Sequence, residues 1–187
     1  MSRHLIFSLL LAALAAEGCA HPPRYLNRSA DLGAIKTVAV LPFENVTTDK
    51  LCAERVQKIF VTELLARDAF KVVEPGLVTR SMRRDQLEPG AMTPEDIKKV
   101  GQALGAQALF MGAVLEYDDG RSGGYAPSPR VKLLLRLVDV ETGTTLWSVS
   151  RERGGATISA RLFGIGGSPA SSVAEELIHE ELATFAK

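Results

Sequence analysis

Two stretches of this chain are apolar without alternation, and nothing else in it limits the possible folds as strongly. Thr37-Val-Ala-Val-Leu-Pro-Phe43 and Ala106–Tyr117 offer hydrophobic side chains to both sides of an extended backbone. Each must be covered on both faces, as a strand inside a layered sheet is. Pro42, which has no N–H to give a ladder, ends the first. Between the two, the polar turn Asn45–Asp49 caps a helix from about Lys50 to Arg67, with Cys52, Val56, Ile59/Phe60 and Leu64 on one stripe. Phe70–Val73 is a second short strand. A strand–helix–strand unit of this kind is expected to be parallel with a right-handed crossover.

The rest of the chain punctuates itself. Glu74-Pro75-Gly76 and Glu88-Pro89-Gly90 read as type II turns, with Gly at the position that needs positive φ. They flank a short helix over Leu77–Arg84. Thr93-Pro94-Glu95-Asp96 opens a further helix with a hydroxyl cap, Pro at the first helical position and acid at the positive end of the dipole. Ile97, Val100, Gly101 and Leu104 form its buried side, and Gly105 its C-cap. Arg130–Val140 alternates, with Val131, Leu133, Leu135 and Leu137 opposite Arg130, Lys132 and Arg136, so it is a half-exposed strand. Glu141-Thr142-Gly143 turns it into Thr144–Arg153. After a Gly-rich connection, Ser168-Pro169 caps a last helix on the stripe Val173, Ala174, Leu177, Ile178, Leu182 and Phe185. The expected order is β-α-β-α-α-β-β-β-α: an α/β (α+β) fold with a mixed sheet of about five strands, ending in an antiparallel meander.

Charge narrows the function. With 22 Lys and Arg against 22 Asp and Glu there is no basic excess, so nucleic acid is not an expected partner. At 24% charged and 46% hydrophobic over 187 residues, the composition suits one globular domain with a full core.

The N-terminus reads as an address. Met1–His4 carries Arg3, and Leu5–Ala16 is apolar except for Ser8, the pattern of a secretory signal. As a helix this run extends about 18 Å, short of the roughly 30 Å hydrocarbon core, so a permanent span is not expected. Leu14-Ala15-Ala16-Glu17-Gly18-Cys19 resembles a bacterial lipobox, which implies removal of residues 1–18 and acylation of Cys19. Gly18 fits that pattern, whereas Ala16 and Glu17 depart from it. Signal-peptidase cleavage after Ala13-Leu14-Ala15 is the alternative, and a lone Cys behind the apolar run favours lipidation. Ala20, where Asp would be a retention signal, resembles sorting to the outer membrane. His21-Pro22-Pro23 then opens a flexible tether over residues 19–35, reaching up to about 55 Å when extended. Residues 36–187 form the single domain.

Candidate chemistry is sparse. His179 lies off the apolar stripe of the last helix and is expected to be solvated. Cys52 lies on a core stripe, as an inert buried thiol does. A zinc site needs three or four ligands, more than these two supply. Glu175-Glu176 and Glu180-Glu181 read as an exposed helix face. Asp118-Asp119 reads as a polar turn, lacking the alternating oxygen ligands of a calcium loop. Gly164-Ile-Gly166-Gly167-Ser168 lacks both the P-loop Lys and the third Gly of a dinucleotide fingerprint. No catalytic residue, cofactor or metal is expected. Arg80, Arg83 and Arg84, beside Asp85 and Glu88, read as a solvated face.

Five segments carry a family likeness: Val38–Thr48, Thr62-Glu-Leu-Leu65, Phe70–Pro75, Gly105–Val114 and Leu137–Trp147. Over roughly residues 36–150 they resemble the periplasmic lipoproteins that include the curli channel CsgG and the penicillin-binding-protein activator LpoB, with the TolB N-terminal-type fold. The resemblance implies a lipid-anchored protein on the periplasmic face of the outer membrane. It would act without catalysis by binding another envelope protein or copies of itself, in envelope assembly or peptidoglycan-synthase regulation. The alternative is an oligomeric CsgG-like export component. Membrane hairpins need two spans of about 9–11 residues each. The loops Asp118–Pro129 and Gly154–Gly167, of twelve and fourteen residues, are too short for that. Candidate partner contacts are Lys132 and Arg136, on what is expected to be an exposed edge of the meander, and the apolar loop residues Leu162, Phe163 and Ile165, for which a shallow membrane contact and packing over the sheet are the alternatives.

Overall fold

The computed structural model describes residues 24–120, 129–155 and 168–185. Its frame is a mixed sheet with helices on both sides. β2 (Thr37–Val40) lies between β5 (Ala108–Asp118) and β4 (Lys71–Val72), parallel to both. β5, β6 (Arg130–Asp139) and β7 (Thr145–Gly154) form the expected antiparallel meander. With β1 (Arg24–Leu26), the order across the sheet is β1-β7-β6-β5-β2-β4, so the two unalternating apolar segments occupy its interior. The helix linking β2 to β4 is α1 (Cys52–Ala66); α2 (Pro75–Arg84) and α3 (Pro94–Leu104) precede β5, and α4 (Ala170–Phe185) follows β7.

The period of the side chains decides which layer each strand residue feeds. Val38, Val40, Phe110 and Val114, with Val131, Leu133, Leu135, Trp147 and Val149, point to one face. There they meet Val56, Phe60 and Leu64 of α1 and Val173, Leu177, Ile178 and Leu182 of α4. Phe60 is the hub, with edge-on ring contacts to Phe43 at 5.5 Å and Phe110 at 5.2 Å. Ala39, Leu41, Leu109, Met111 and Val138 point the other way, onto Val78 and Met82 of α2 and Ile97 and Val100 of α3.

The sheet has seven strands, two more than expected, and both additions are short. Pro42 does interrupt the ladder, but pairing resumes at once as β3 (Glu44–Asn45), parallel to β5 at Ala113 and Val114. Phe43 makes this possible by packing across Gly112, where a Cβ would stand 2.7 Å from its ring. The second addition corrects the tether. Arg24–Leu26, assigned by sequence to the flexible segment 19–35, form β1, antiparallel to β7 with Arg24 opposite Val149. The chain from there to β2 is fixed by Gln107. Its Oε1 accepts the backbone N–H of Lys36 at 2.7 Å and of Thr37 at 3.1 Å, and its Nε2 donates to the carbonyl of Ala34 at 3.3 Å.

The two Pro-Gly tripeptides are also not type II turns. Neither Gly76 nor Gly90 has positive φ. Pro75 is the first residue of α2, capped by the Glu74 carboxylate, which accepts from the Leu77 N–H at 3.1 Å. Pro89–Ala91 is a single 3-10 turn. A proline followed by glycine suits a helix start as well as a turn, and a capping acid just before it decides for the helix. The start at Thr93 and the left-handed cap at Gly105 (φ 63°) form as expected.

Candidate interaction site

The two helix layers do not cover the sheet equally. α2 and α3 lie over Ala39, Leu41, Leu109, Met111, Val138 and Val140. Among the described residues no helix covers the same face of β5, β6 and β7 further along. Arg130, Lys132, Leu134 and Arg136 of β6 stand on this open face, since their alternates Val131, Leu133, Leu135 and Leu137 are buried on the other. Lys132 and Arg136 therefore share this face, four residues and about 13 Å apart along one strand, with Leu134 between them. Their setting differs from the expected edge: β7 and then β1 extend the sheet beyond β6, so they lie mid-sheet. Cys19, Leu162, Phe163 and Ile165 lie outside the described residues.

Charge distinguishes the surface. Leu134 is flanked by Ala113 and Ser150, and Arg136 by Met111 and Ser148. Leu134 and Arg136 are both half-buried. Towards the far end the charges alternate across strands, with Glu116 and Glu152 on either side of Lys132. Their ion pairs are long: Arg130 Nε to Glu152 Oε1 at 3.5 Å, Arg130 Nε to Glu116 Oε1 at 3.8 Å and Lys132 Nζ to Glu152 Oε2 at 3.9 Å. Long, solvated pairs hold their partners weakly. These groups can exchange them for charges on another molecule at little cost.

The groups suspected of chemistry sit elsewhere and are occupied structurally. His179 is exposed on α4 with Nδ1 2.9 Å from Glu63 Oε2. Cys52 is fully buried, with its Sγ 3.1 Å from Thr47 Oγ1 and donating to Asn45 Oδ1 at 3.4 Å. Among the described residues there is no group of three or more His, Cys, Asp or Glu able to hold a metal ion, and no helix long and apolar enough to cross a membrane. An open cleft of about 680 Å³ runs between α1 and α2, from Phe43 and Ala53 to Lys58 and Arg83.

One acid lies where the sequence does not place it. Glu181, assigned to the exposed face of the last helix, is only 2% exposed. Arg24 of β1 meets it at 2.6 Å and Arg151 of β7 at 3.5 Å. The signal available in sequence was the stripe itself, because Glu181 follows Val173, Ala174, Leu177 and Ile178 at helical spacing. The pairing of β1 with β7 adds Arg24 to Arg151 there, and such guanidiniums make an acid tolerable in a buried position.

The fold is shared with proteins of known structure. PelC from Paraburkholderia phytofirmans, solved as a dodecamer, matches with a TM-score of 0.60 at 21% identity, over 87% of this chain and 96% of that one. Lipoprotein GNA1162 from Neisseria meningitidis matches with a TM-score of 0.58 at 19% identity, over 81% of this chain and 98% of that one. At such identities the likeness is one of fold. No curated protein matches the chain. The sequence itself matches the family model of the peptidoglycan-synthase activator LpoB over residues 11–152, more than half its length. The chain belongs to the LpoB family of peptidoglycan-synthase activators.

Proposed function

We propose that this chain is a lipid-anchored, non-catalytic accessory protein on the periplasmic face of the outer membrane, and that it regulates a peptidoglycan synthase by binding it. Family membership over residues 11–152 is the observation that carries the reading. The anchor is Cys19, in the lipobox-like segment behind the apolar leader. The partner surface is the open face of β6, which carries Lys132 and Arg136 and where the local ion pairs are long. Leu162, Phe163 and Ile165, which follow β7 in the sequence, are a second contact. A shallow apolar contact of this kind, rimmed by exchangeable charge, suits a protein partner.

Self-association is the second reading, favoured by the fold shared with PelC, whose solved form is a dodecamer. The decisive experiment adds the purified protein to the cognate synthase and follows glycan-strand synthesis. A several-fold rise that Lys132→Ala with Arg136→Ala abolishes is the expected result. No stimulation by the wild-type chain sinks the regulatory role. A sedimentation profile with a single high-mass species and no synthase complex would replace it with the self-assembling one.

A further inference from the structure

The position of β1 changes what a lipid on Cys19 does to the rest of the molecule. Only five residue steps separate Cys19 from Arg24, and fully extended they cover about 17 Å. Without β1 the first fixed residue would stand near Lys36, at a reach of about 55 Å. β1 is the outermost strand at one edge of the sheet, with β4 at the opposite edge. Five interstrand spacings place these edges about 24 Å apart. A tether shorter than the sheet is wide cannot let the domain tumble freely; it turns one edge to the bilayer.

The edge so turned carries the right groups. Tyr25 and Leu26, adjacent in β1, are 51% and 49% exposed, and Arg28 just beyond them is exposed. Tyrosine beside an aliphatic residue and a cation suits the headgroup layer, where a ring can be half dry and its hydroxyl wet. β1 has only three residues, so the backbone groups on its free side are few and can stay hydrated among headgroups. Its hold on the domain is independent of the membrane. The ladder to Val149, Ser148 and Trp147 and the 2.6 Å pair from Arg24 to the buried Glu181 fix it in place.

We propose that the β1 edge is a membrane-contact surface, with Tyr25, Leu26 and Arg28 seated in the headgroup layer of the bilayer that holds the anchor. This rests on acylation of Cys19, the reading given above. The open β6 face then stands roughly perpendicular to the membrane, accessible from the side.

The test uses the full acylated protein in vesicles of phosphatidylethanolamine and phosphatidylglycerol that carry a headgroup-linked energy acceptor. A donor is attached through Ser29→Cys, beside β1, or Lys71→Cys, in β4; Cys52 is fully buried and does not react. Transfer several-fold greater from residue 29 than from residue 71 is expected. Insertion of about a dozen Gly and Ser residues between Cys19 and Arg24 should abolish the difference. Tyr25→Ser with Leu26→Ser should reduce it. Equal transfer from both sites, in protein whose acyl chains are confirmed by mass spectrometry, overturns the contact surface and leaves the anchor standing. A processed chain without acyl groups removes the anchor and the surface together. A ratio unmoved by Tyr25→Ser with Leu26→Ser overturns the headgroup contact.

Discussion

Glu181 shows how much one side chain can bind together. Its carboxylate reaches Arg24 on one strand and Arg151 on another, while Arg153 pairs with Glu180 at 2.5 Å and Glu176 at 3.0 Å on the same helix. An acid this buried tolerates its charge only through such partners. Losing both guanidiniums should therefore cost more than losing each in turn. Arg24→Ala with Arg151→Ala is expected to destabilise the domain by about 2 kcal/mol or more, beyond the sum of the single variants, in urea unfolding. A second residue-scale effect belongs to the cap of α3. The Thr93 N–H donates to Asp96 Oδ2 at 3.0 Å, the Thr93 hydroxyl does so at 2.8 Å, and the Asp96 N–H returns a bond to that hydroxyl at 3.2 Å. The backbone bond first, and then the hydroxyl, holds the Asp96 carboxyl below its ordinary range despite some desolvation. Thr93→Ala is expected to cost about 1 kcal/mol in the same measurement. A lowered folded-state pKa gives stability that is present above the unfolded value near 3.9 and lost as pH falls through the folded one. Asp96→Asn should therefore be less stable than wild type at neutral pH, and the unfolding midpoints should converge in acid. A gap that stays constant below pH 4 would show that the carboxylate does not act through its charge.

Among the elements, α3 depends most on one missing side chain. A Cβ on Gly101 would stand 2.2 Å from Val140 Cγ2, and Val140 is itself buried under α2 and α3. Gly101→Ala gains helix propensity, yet the overlap with a packed side chain outweighs it. A loss of about 1–3 kcal/mol in the midpoint of unfolding is expected, part of it recovered by Val140→Ala in the same chain. The elements also show why some boundaries were legible and others were not. Thr93 and Gly105 bracket α3 with chemistry that only a helix uses, and the structure has them as cap and C-cap. Glu74-Pro75-Gly76 satisfies a turn and a helix start equally in sequence, and it became the latter through a cap bond to Leu77. β1 and β3 have three and two residues, too short for a period to show.

At the scale of the molecule, the cores and the proposed partner surface occupy different places. The two cores lie under α1 with α4 and under α2 with α3, whereas Lys132 and Arg136 stand on the face between and beyond them. Lys132→Ala with Arg136→Ala should therefore shift the unfolding free energy by no more than about 1 kcal/mol while removing the effect on the synthase. A large drop in melting temperature would mean that the pair serves the sheet rather than a partner. What the chain determined locally were the kinds of element, their order, the interior strands and the residues of the main core. Side-chain period and capping chemistry act between neighbours only a few positions apart. What only the tertiary structure decided was which sheet face the described helices leave uncovered, that β6 is an inner strand, and that Arg24–Leu26 join the sheet. The burial of Glu181 belongs with these. All of them follow from strands meeting across long stretches of chain, and the free energy of such a meeting depends on both partners at once.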